Sequence, residues 1–388
     1  MSRDVRVVAR AKLTLSLRVL GVRPDGYHEL EGLVVSLREP HDVVGLRIQP
    51  PFGVRVRLSG RAVIGVPADE TNLAARAARL LLEVAADGVD PGPWAASGLD
   101  VSLHKAIPAG AGLGGGSADA AGTLVGGARL LGLDLDAATL AALAARLGSD
   151  VPFCVAGGIA WMRGRGEIIE PLPVPPVLAR TPSPPRPYGL AESPPGPPDP
   201  PGPPGPHGPP GPPGWPWRPA QAGAAWVPAP PGPSRLPGSS PPPGPSAGSP
   251  WPGEPDTGGL SLVVAVPPFG LATPTVYRAW DELGGPSSTR PVPLPEGLAG
   301  LGLPEELVND LEPAAEHVEP RLRPFREALE AMAGAPALLA GSGSAYVVSV
   351  ASPAQAAVVA TQAGVELRAM AFATGLATRG VEAQTSPD

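Results

Sequence analysis

The chain is poor in cysteine, in positive charge and in long apolar runs, and each shortage excludes a class of protein. Cys154 is the single cysteine among 388 residues, which excludes an internal disulfide framework and a thiolate-based zinc site. It lies in the apolar run 151–155 and is therefore expected to be a small buried hydrophobic side chain rather than a nucleophile. The formal net charge of −7 argues against a general nucleic-acid-binding protein but leaves open a small anionic ligand.

The chain also lacks the apolar segments that direct proteins into or across membranes. No run approaches the ~20 residues that cross a bilayer. The sequence begins Met-Ser-Arg-Asp, without the apolar core of a signal peptide. We therefore expect a cytoplasmic protein without membrane or nucleic-acid partners, working as a monomer or a homodimer.

Proline is abundant, by contrast, and is concentrated in one part of the chain. Residues 171–258 hold 35 of the 58 prolines, and glycine recurs at every third position over 202–214. These few triplets are too short for a stable collagen-like triple helix, and the composition favours an unfolded polyproline II segment. We predict a disordered insert at 173–258, between folded domains at 1–172 and 259–388. An inert loop, a docking strip for a proline-binding partner, or translation of a disrupted stretch would each explain it.

The folded parts alternate between strand-like and helix-like patterns. Apolar and polar residues alternate cleanly over 11–19, which predicts a strand with one buried face. Further strands are predicted at 32–37, 43–48 and 54–58. A helix is predicted from residue 117 to about 131 and a second over 136–148, with Asp136 as its cap. Strands with interleaved helices, in both halves of the chain, indicate an α+β fold.

A glycine-rich loop provides the strongest functional signal in the chain. Five glycines in seven residues would let the backbone approach a bulky anion, because glycine has no Cβ and adopts positive φ readily. A helix beginning at Ser117 would aim its unpaired amides at that anion, which suits phosphate. The candidate phosphate-binding residues are Pro108, Ala109, Gly110, Ala111, Gly112, Leu113, Gly114, Gly115, Gly116 and Ser117.

Three other interpretations of the loop fit its surroundings less well. It contains the string Gly-x-Gly-x-x-Gly of dinucleotide-binding folds, but a second helix follows where that fold needs a strand and an acidic residue. The P-loop pattern is absent, because no lysine follows the glycines. A flexible glycine loop without a ligand does not account for the helix that begins abruptly after it. Ser117 would either donate to phosphate or cap that helix.

Four segments, in order along the chain, resemble the GHMP family of small-molecule kinases. They are 11–17 with Lys12, 25–30 with the sequence Asp-Gly-Tyr-His-Glu-Leu, the glycine motif at 108–121, and 148–152 with Asp150. The resemblance covers roughly residues 6–172 and 259–380 and implies a two-domain α+β GHMP kinase fold. Its N-terminal domain would resemble domain 2 of ribosomal protein S5, and its C-terminal domain would be a ferredoxin-like α/β unit.

The resemblance implies an ATP-dependent kinase with a small-molecule acceptor. Lys12 would be the catalytic cation and Asp150 the general base that takes the proton from the acceptor hydroxyl. Lys12 could otherwise be an ordinary solvated lysine, and Asp150 a turn or helix-cap residue. No carboxylate cluster marks a protein metal site, so Mg²⁺ would arrive with the nucleotide. Asn72 matches an adenine-side contact, although a residue at a helix start needs no function.

The segment 25–30 points to family members whose acceptor is a cytidine-diphosphate conjugate. It implies phosphorylation of the 2-hydroxyl of its methylerythritol unit, a step of non-mevalonate isoprenoid biosynthesis. Tyr27 and His28 match positions that recognise cytidine. Tyr277 matches a second aromatic residue that would sandwich the base, or it packs in the core. Thr14 stands where the family has asparagine and could supply a shorter donor.

A second glycine turn matches a third family motif, which lies beside the glycine loop near bound phosphates. Its residues are Gly341, Ser342 and Gly343, and a tight turn into the next strand is the alternative. Two other functions stay open. A GHMP kinase for homoserine or mevalonate would need neither Tyr27 nor His28, and a non-catalytic nucleotide-binding scaffold would work through the proline-rich insert.

Overall fold

The structure, a computed structural model, describes residues 4–49, 53–86, 98–173, 260–285 and 307–384. The predicted insert at 173–258 lies outside these ranges except for its first residue. The described residues all belong to one compact unit. The division into domains at 1–172 and 259–388 therefore stays a prediction.

The first part of the described chain is built around an eight-stranded sheet. Its strands are β1 (Asp4–Val22), β2 (His28–Gln49), β3 (Val54–Gly60), β4 (Gly98–Lys105), β5 (Ile159–Gly164), β6 (Ile168–Leu172), β11 (Leu376–Ala377) and β12 (Val381–Gln384). The order β12-β1-β2-β4-β3 forms the main path, β5 and β11 also pair with β2, and β6 pairs with β5. β3 and β4 run parallel, whereas β1 and β2 are antiparallel. The C-terminal segment therefore returns to the first sheet.

Four helices accompany this sheet. They are α1 (Leu73–Ala86), α2 (Gly115–Leu131), α3 (Ala137–Leu147) and α4 (Val151–Ala156). α2 packs directly on β1 and β2. A Cβ on Gly126 of α2 would lie 2.6 Å from Val7 and 2.8 Å from Leu46, so glycine permits this close approach. The glycine loop therefore ends at a helix that is held firmly against the sheet.

A second sheet forms the C-terminal part of the described chain. Its strands are β7 (Ser261–Val266), β8 (Ala337–Leu339), β9 (Tyr346–Val350) and β10 (Met370–Thr374), with helices α5 (Thr273–Glu282), α6 (Glu312–Val318), α7 (Leu322–Ala333) and α8 (Pro353–Glu366). The strand order is β10-β7-β9-β8, and all three pairs are antiparallel. Strands and helices alternate as in a ferredoxin-like unit, and the predicted α+β class is confirmed.

The prediction that the strand at 11–19 buries one face is wrong. Its polar side chains are buried too: Lys12 runs past the start of α2, and Ser16 contacts residue 308. The Oγ of Ser16 donates to the carbonyl of residue 308 at 3.0 Å, and the amide of Val19 donates to the Asp310 carboxylate at 2.9 Å. A strand between two layers keeps its polar residues only where they find partners.

Other local predictions differ from the structure in their boundaries. The strands predicted at 32–37 and 43–48 form one strand, β2, and α2 begins two residues before Ser117. The helix predicted over 136–148 is confirmed, because the Asp136 carboxylate accepts from the amide of Thr139 at 2.8 Å and caps α3. The sequence analysis missed α4, α6, β6, β10, β11 and β12, which have two to seven residues each and are too short to show a clear period.

Candidate active site

The glycine loop joins the end of β4 to the start of α2. Gly110, Gly112 and Gly114 have φ angles of 70°, 79° and 67°, which residues with a Cβ rarely adopt. Gly114 is the N-cap of α2, and Ser117 lies in the first turn. Ser117 is therefore not the helix cap. The first amides of a helix have no intrahelical partner, so α2 presents them at the end of the loop, where an anion can bind.

Lys12 and Asp150 form an ion pair beside this loop. The Nζ of Lys12 lies 3.1 Å from the Oδ2 of Asp150, and the side chains are 11% and 32% exposed. Lys12 is thus not a solvated surface lysine. Asp150 precedes α4, but its side chain makes no capping hydrogen bond to that helix. The structure brings together the two residues that the sequence predicted as catalytic.

Lys12 makes two further contacts, one with the start of α2 and one within β1. A Cβ on Gly114 would lie 2.6 Å from the Cγ of Lys12, so the lysine side chain runs directly past the helix N-cap. The Nζ of Lys12 also lies 3.3 Å from the Oγ1 of Thr14, which is buried. Thr14, which stands in place of a family asparagine, is therefore part of the same cluster.

The second glycine turn touches the glycine loop through its backbone. A Cβ on Gly112 would lie 2.5 Å from the carbonyl oxygen of Ala340 and 3.0 Å from that of Gly343. The amide of Ala345 donates to the carbonyl of Ala111 at 3.2 Å. The side chain of Ser342 bonds to Thr273, the first residue of α5, with 2.8 Å between the hydroxyl oxygens.

Asn309 supports this turn from behind, and the sequence analysis missed it. Its Nδ2 donates to the carbonyls of Leu339 and Gly341 at 2.8 and 2.7 Å, and its Oδ1 accepts from the amide of Leu311. Asn309 is buried. An isolated asparagine in the sequence gives no signal for such a role, because its partners are backbone groups from distant segments.

Glu312 lies beside Leu339, the last residue of β8, and should make stability depend on pH. Burial raises its pKa from 4.5 to about 7, although Arg326 lies 3.1 Å away. The folded protein therefore binds more protons than the unfolded chain between these values, so this stabilisation is complete below pH 4.5 and is lost as pH rises through 7. We expect Glu312→Gln to gain about 3 kcal/mol of stability relative to the native chain over this interval.

Urea unfolding at several pH values measures this effect. Glu327→Gln, an exposed carboxylate on α7, is the matched control and should follow the native pH dependence. Parallel curves for the native chain and Glu312→Gln would contradict the assignment.

The ring of His28, at the start of β2, lies against the ring of Tyr277 on α5. Their ring centroids are 4.7 Å apart, and Trp280 meets His28 edge-on at 5.4 Å. The Nε2 of His28 lies 2.9 Å from the Oδ1 of Asp281 on α5. Burial raises the pKa of Tyr277, and the negative charge of Asp150 raises it further. The aromatic group and the ion pair are therefore close enough to interact.

Tyr27 and Asn72 occupy different surroundings from these residues. Tyr27 is 56% exposed, and the guanidinium of Arg165 lies 4.7 Å from the centre of its ring. Asn72 precedes α1, where its Oδ1 accepts from the amide of Ala74 and its Nδ2 donates to the carbonyl of Pro67. The side chain of Asn72 therefore has a structural role at the helix start, and an adenine contact stays a prediction.

Cys154 is buried in α4, and burial raises the pKa of its thiol, as expected of a packing residue. Among the described residues, no group of three or more His, Cys, Asp and Glu side chains could hold a metal ion. In the same part of the chain, no helix combines the length and apolar character needed to span a bilayer.

Comparisons with known proteins show similarity to small-molecule kinases. Residues 72–158 match the family of GHMP kinases, N terminal domain, and the described fold is that of GHMP kinases. The match places residues 72–158 in this domain family. It is similar to the 4-diphosphocytidyl-2-C-methyl-D-erythritol kinase of Acaryochloris marina, with 48% identity over 165 residues that make up 42% of this chain and 49% of that protein. The chain thus spans about half the length of the curated relatives it matches.

Solved structures extend the likeness along the chain. A crystal structure of 4-(cytidine 5'-diphospho)-2C-methyl-D-erythritol kinase superimposes with a TM-score of 0.60 and 28% identity, covering 96% of this chain and 100% of that one. Homoserine kinase from Cytophaga hutchinsonii gives a TM-score of 0.58 at 16% identity, covering 99% and 98% of the two chains. The second likeness shows the fold alone. The predicted family resemblance is confirmed.

Proposed function

We propose that the protein is an ATP-dependent kinase that phosphorylates an alcohol of a cytidine-diphosphate conjugate, the 2-hydroxyl of 4-diphosphocytidyl-2-C-methyl-D-erythritol. The observation that carries the proposal is the ion pair between Lys12 and Asp150 beside the N-terminus of α2. A base and a cation next to an anion-binding helix end are the groups that phosphoryl transfer to an alcohol requires.

The chemistry assigns one task to each member of the pair. The Asp150 carboxylate accepts the hydroxyl proton, while the alcohol oxygen forms a bond to the γ-phosphorus and the bond to ADP breaks. The Lys12 ammonium stabilises the negative charge that develops on the oxygen atoms during transfer. Asp150 would then release the proton to solvent after the phosphorylated product leaves.

The glycine loop fits the phosphates of ATP. Its left-handed glycines at 110 and 112 and the amides at the start of α2 offer hydrogen-bond donors without side chains in the way. Ser117 adds a hydroxyl in the first turn. Mg²⁺ would neutralise part of the phosphate charge, with most of its oxygen ligands supplied by the nucleotide.

His28 favours a base that carries an amino group. A carboxylate only accepts hydrogen bonds, so the Nε2 of His28 must donate to Asp281, and the Nδ1 of the neutral ring is then an acceptor. The amino group of cytosine can donate to such an atom, whereas the corresponding carbonyl of uracil cannot. The Tyr277 ring lies against that of His28 at an interplanar angle of 34° and would extend the apolar surface available to the base.

Asp281→Asn should weaken recognition of the base and leave the transfer step nearly intact. Without a pure acceptor on Nε2, the His28 ring no longer has one preferred tautomer. We expect the KM of the cytidine substrate to rise roughly fivefold, at a nearly native kcat, with a smaller preference over the uridine analogue. Steady-state kinetics with both substrates measure this.

Glu282→Gln is the matched control, since it removes an exposed carboxylate from the next position of the same helix. It should keep the native KM. An unchanged KM and an unchanged preference in Asp281→Asn would show that Asp281 does not orient His28 for the base.

A substrate panel tests the proposal against its two alternatives. Purified chain is given ATP and Mg²⁺ with the cytidine-diphosphate substrate, homoserine or mevalonate, and ADP release is followed. We expect ADP release with the first acceptor alone. Transfer to homoserine or mevalonate would favour another GHMP kinase, and ATP binding without transfer to any acceptor would favour a nucleotide-binding scaffold.

A further inference from the structure

A buried charge cluster connects the two ends of the glycine loop. Lys105, the last residue of β4, is 2% exposed, and its Nζ lies 2.5 Å from a carboxylate oxygen of Asp42 and 2.5 Å from one of Asp119. Asp42 belongs to β2, and Asp119 belongs to α2. One ammonium group therefore links a central strand, the residue before the loop and the helix after it.

The other oxygen of Asp42 holds the chain where it enters the loop. This Oδ1 accepts from the amides of Ala106 and Ile107 at 2.6 and 2.9 Å. Ile107 in turn packs against the loop exit, because a Cβ on Gly115 would lie 3.0 Å from its Cγ2. Entry and exit of the loop are thus in direct contact, with the cluster behind them.

The cluster constrains the two ends of the loop. The middle of the loop is held by backbone bonds, from Lys12 to the carbonyl of Leu113 and from Ala345 to that of Ala111. The ends are held by Asp42 and Asp119. Because glycines separate these points, the spacing between the loop amides and those of α2 depends on the ends being fixed.

The charges in the cluster are also suited to a site beside phosphates. Burial raises the pKa of Asp119 and so favours its protonated form, and the ammonium of Lys105 balances the carboxylate of Asp42. An unbalanced buried carboxylate at this place would repel an anionic ligand.

We propose that Lys105, Asp42 and Asp119 are positioning residues that hold the two ends of the glycine loop at the spacing required for ATP. The inference rests on the proposed function, because it takes the ligand of the loop to be ATP. It adds residues that touch neither ATP nor the acceptor, and that act through the backbone amides of the loop and of α2.

Titration calorimetry of the full chain with ATP and Mg²⁺, in the absence of the alcohol substrate, tests this role of the cluster. Asp119→Ala removes one anchor of the cluster and should raise the Kd of ATP about tenfold. Asp119→Asn keeps an acceptor for Lys105 and should restore a Kd within about threefold of the native value. If Asp119→Ala does not fold, Asp42→Asn replaces it. The asparagine has only one accepting oxygen, so it cannot accept both from Lys105 and from the amides of Ala106 and Ile107. The Kd of ATP should again rise about tenfold.

Asp100→Ala is the matched control. Asp100 is also buried on β4, near its other end, and pairs with Arg57 at 2.7 Å. This variant should lose stability and keep the native Kd. A native Kd in a folded Asp119→Ala or Asp42→Asn chain would overturn this inference and leave the proposed function standing. An equal rise of the Kd in Asp100→Ala would do the same. Absence of ATP binding to the native chain would overturn the proposed function and the inference with it.

Discussion

Asp150→Asn should abolish most phosphoryl transfer while leaving ATP binding intact. The amide keeps the shape of the side chain but cannot take the proton from the acceptor hydroxyl. We expect kcat to fall by roughly 10²–10⁴-fold, with little change in the Kd of ATP, since the glycine loop and α2 are unaltered. ADP release under saturating substrates gives kcat, and calorimetry gives the Kd.

Asp134→Asn supplies the control, because Asp134 is an exposed carboxylate in the segment between α2 and α3. It should retain the native kcat and Kd. A nearly native kcat in Asp150→Asn would remove Asp150 from the role of general base. A large loss of ATP affinity in that variant would instead place the carboxylate in the nucleotide site.

Gly114→Ala should have the second largest effect, because it acts on Lys12. The new methyl group would lie 2.6 Å from the Cγ of Lys12, in the middle of that side chain, so the ammonium must leave its 3.1 Å contact with Asp150. A displacement of about 1 Å in a catalytic group can cost roughly 10²-fold in rate, and we expect a loss of that order in kcat.

Gly132→Ala separates this clash from simple backbone strain. Gly132 ends α2 with a φ of 69°, against 67° at Gly114, and a Cβ there has nothing within 4 Å. The control should lose about 1 kcal/mol of stability and keep the native kcat. Equal losses of kcat in both variants would mean that strain in α2, and not the position of Lys12, limits the rate.

The glycine loop was the part of the site best predicted from the sequence. Its function depends on backbone conformation, and glycine at 110, 112 and 114 signals that conformation directly. The start of α2 was misplaced by two residues, because Ser117 resembles a cap and the actual cap is Gly114. The prediction that Lys12 and Asp150 act together came from the family resemblance. The spacing of two residues far apart in the chain could not supply it.

Residues that act through long-range contacts could not be predicted. Asn309 binds the backbone carbonyls of Leu339 and Gly341, and Asp281 on α5 binds the ring of His28 on β2. The partners of Asn309 are 30 and 32 residues away in the chain, and His28 is 253 residues from Asp281, so both contacts exist only in the folded chain. The same holds for the polar face of β1, which alternates in sequence like a solvent-exposed face but is buried, with Lys12 against the start of α2 and Ser16 against residue 308. Local periodicity predicts that a segment is a strand or a helix. Whether each of its faces is buried depends on the distant segments that pack against it.

Phosphorus NMR of the complete reaction tests the central claim most directly. The native chain is incubated with ATP, Mg²⁺ and 4-diphosphocytidyl-2-C-methyl-D-erythritol, and the products are followed with time. The account predicts equal amounts of ADP and of a new phosphomonoester on the 2-hydroxyl, and formation of both at least about 10²-fold more slowly with Asp150→Asn. Formation of ADP with inorganic phosphate and no phosphomonoester, or transfer by Asp150→Asn at the native rate, would contradict it.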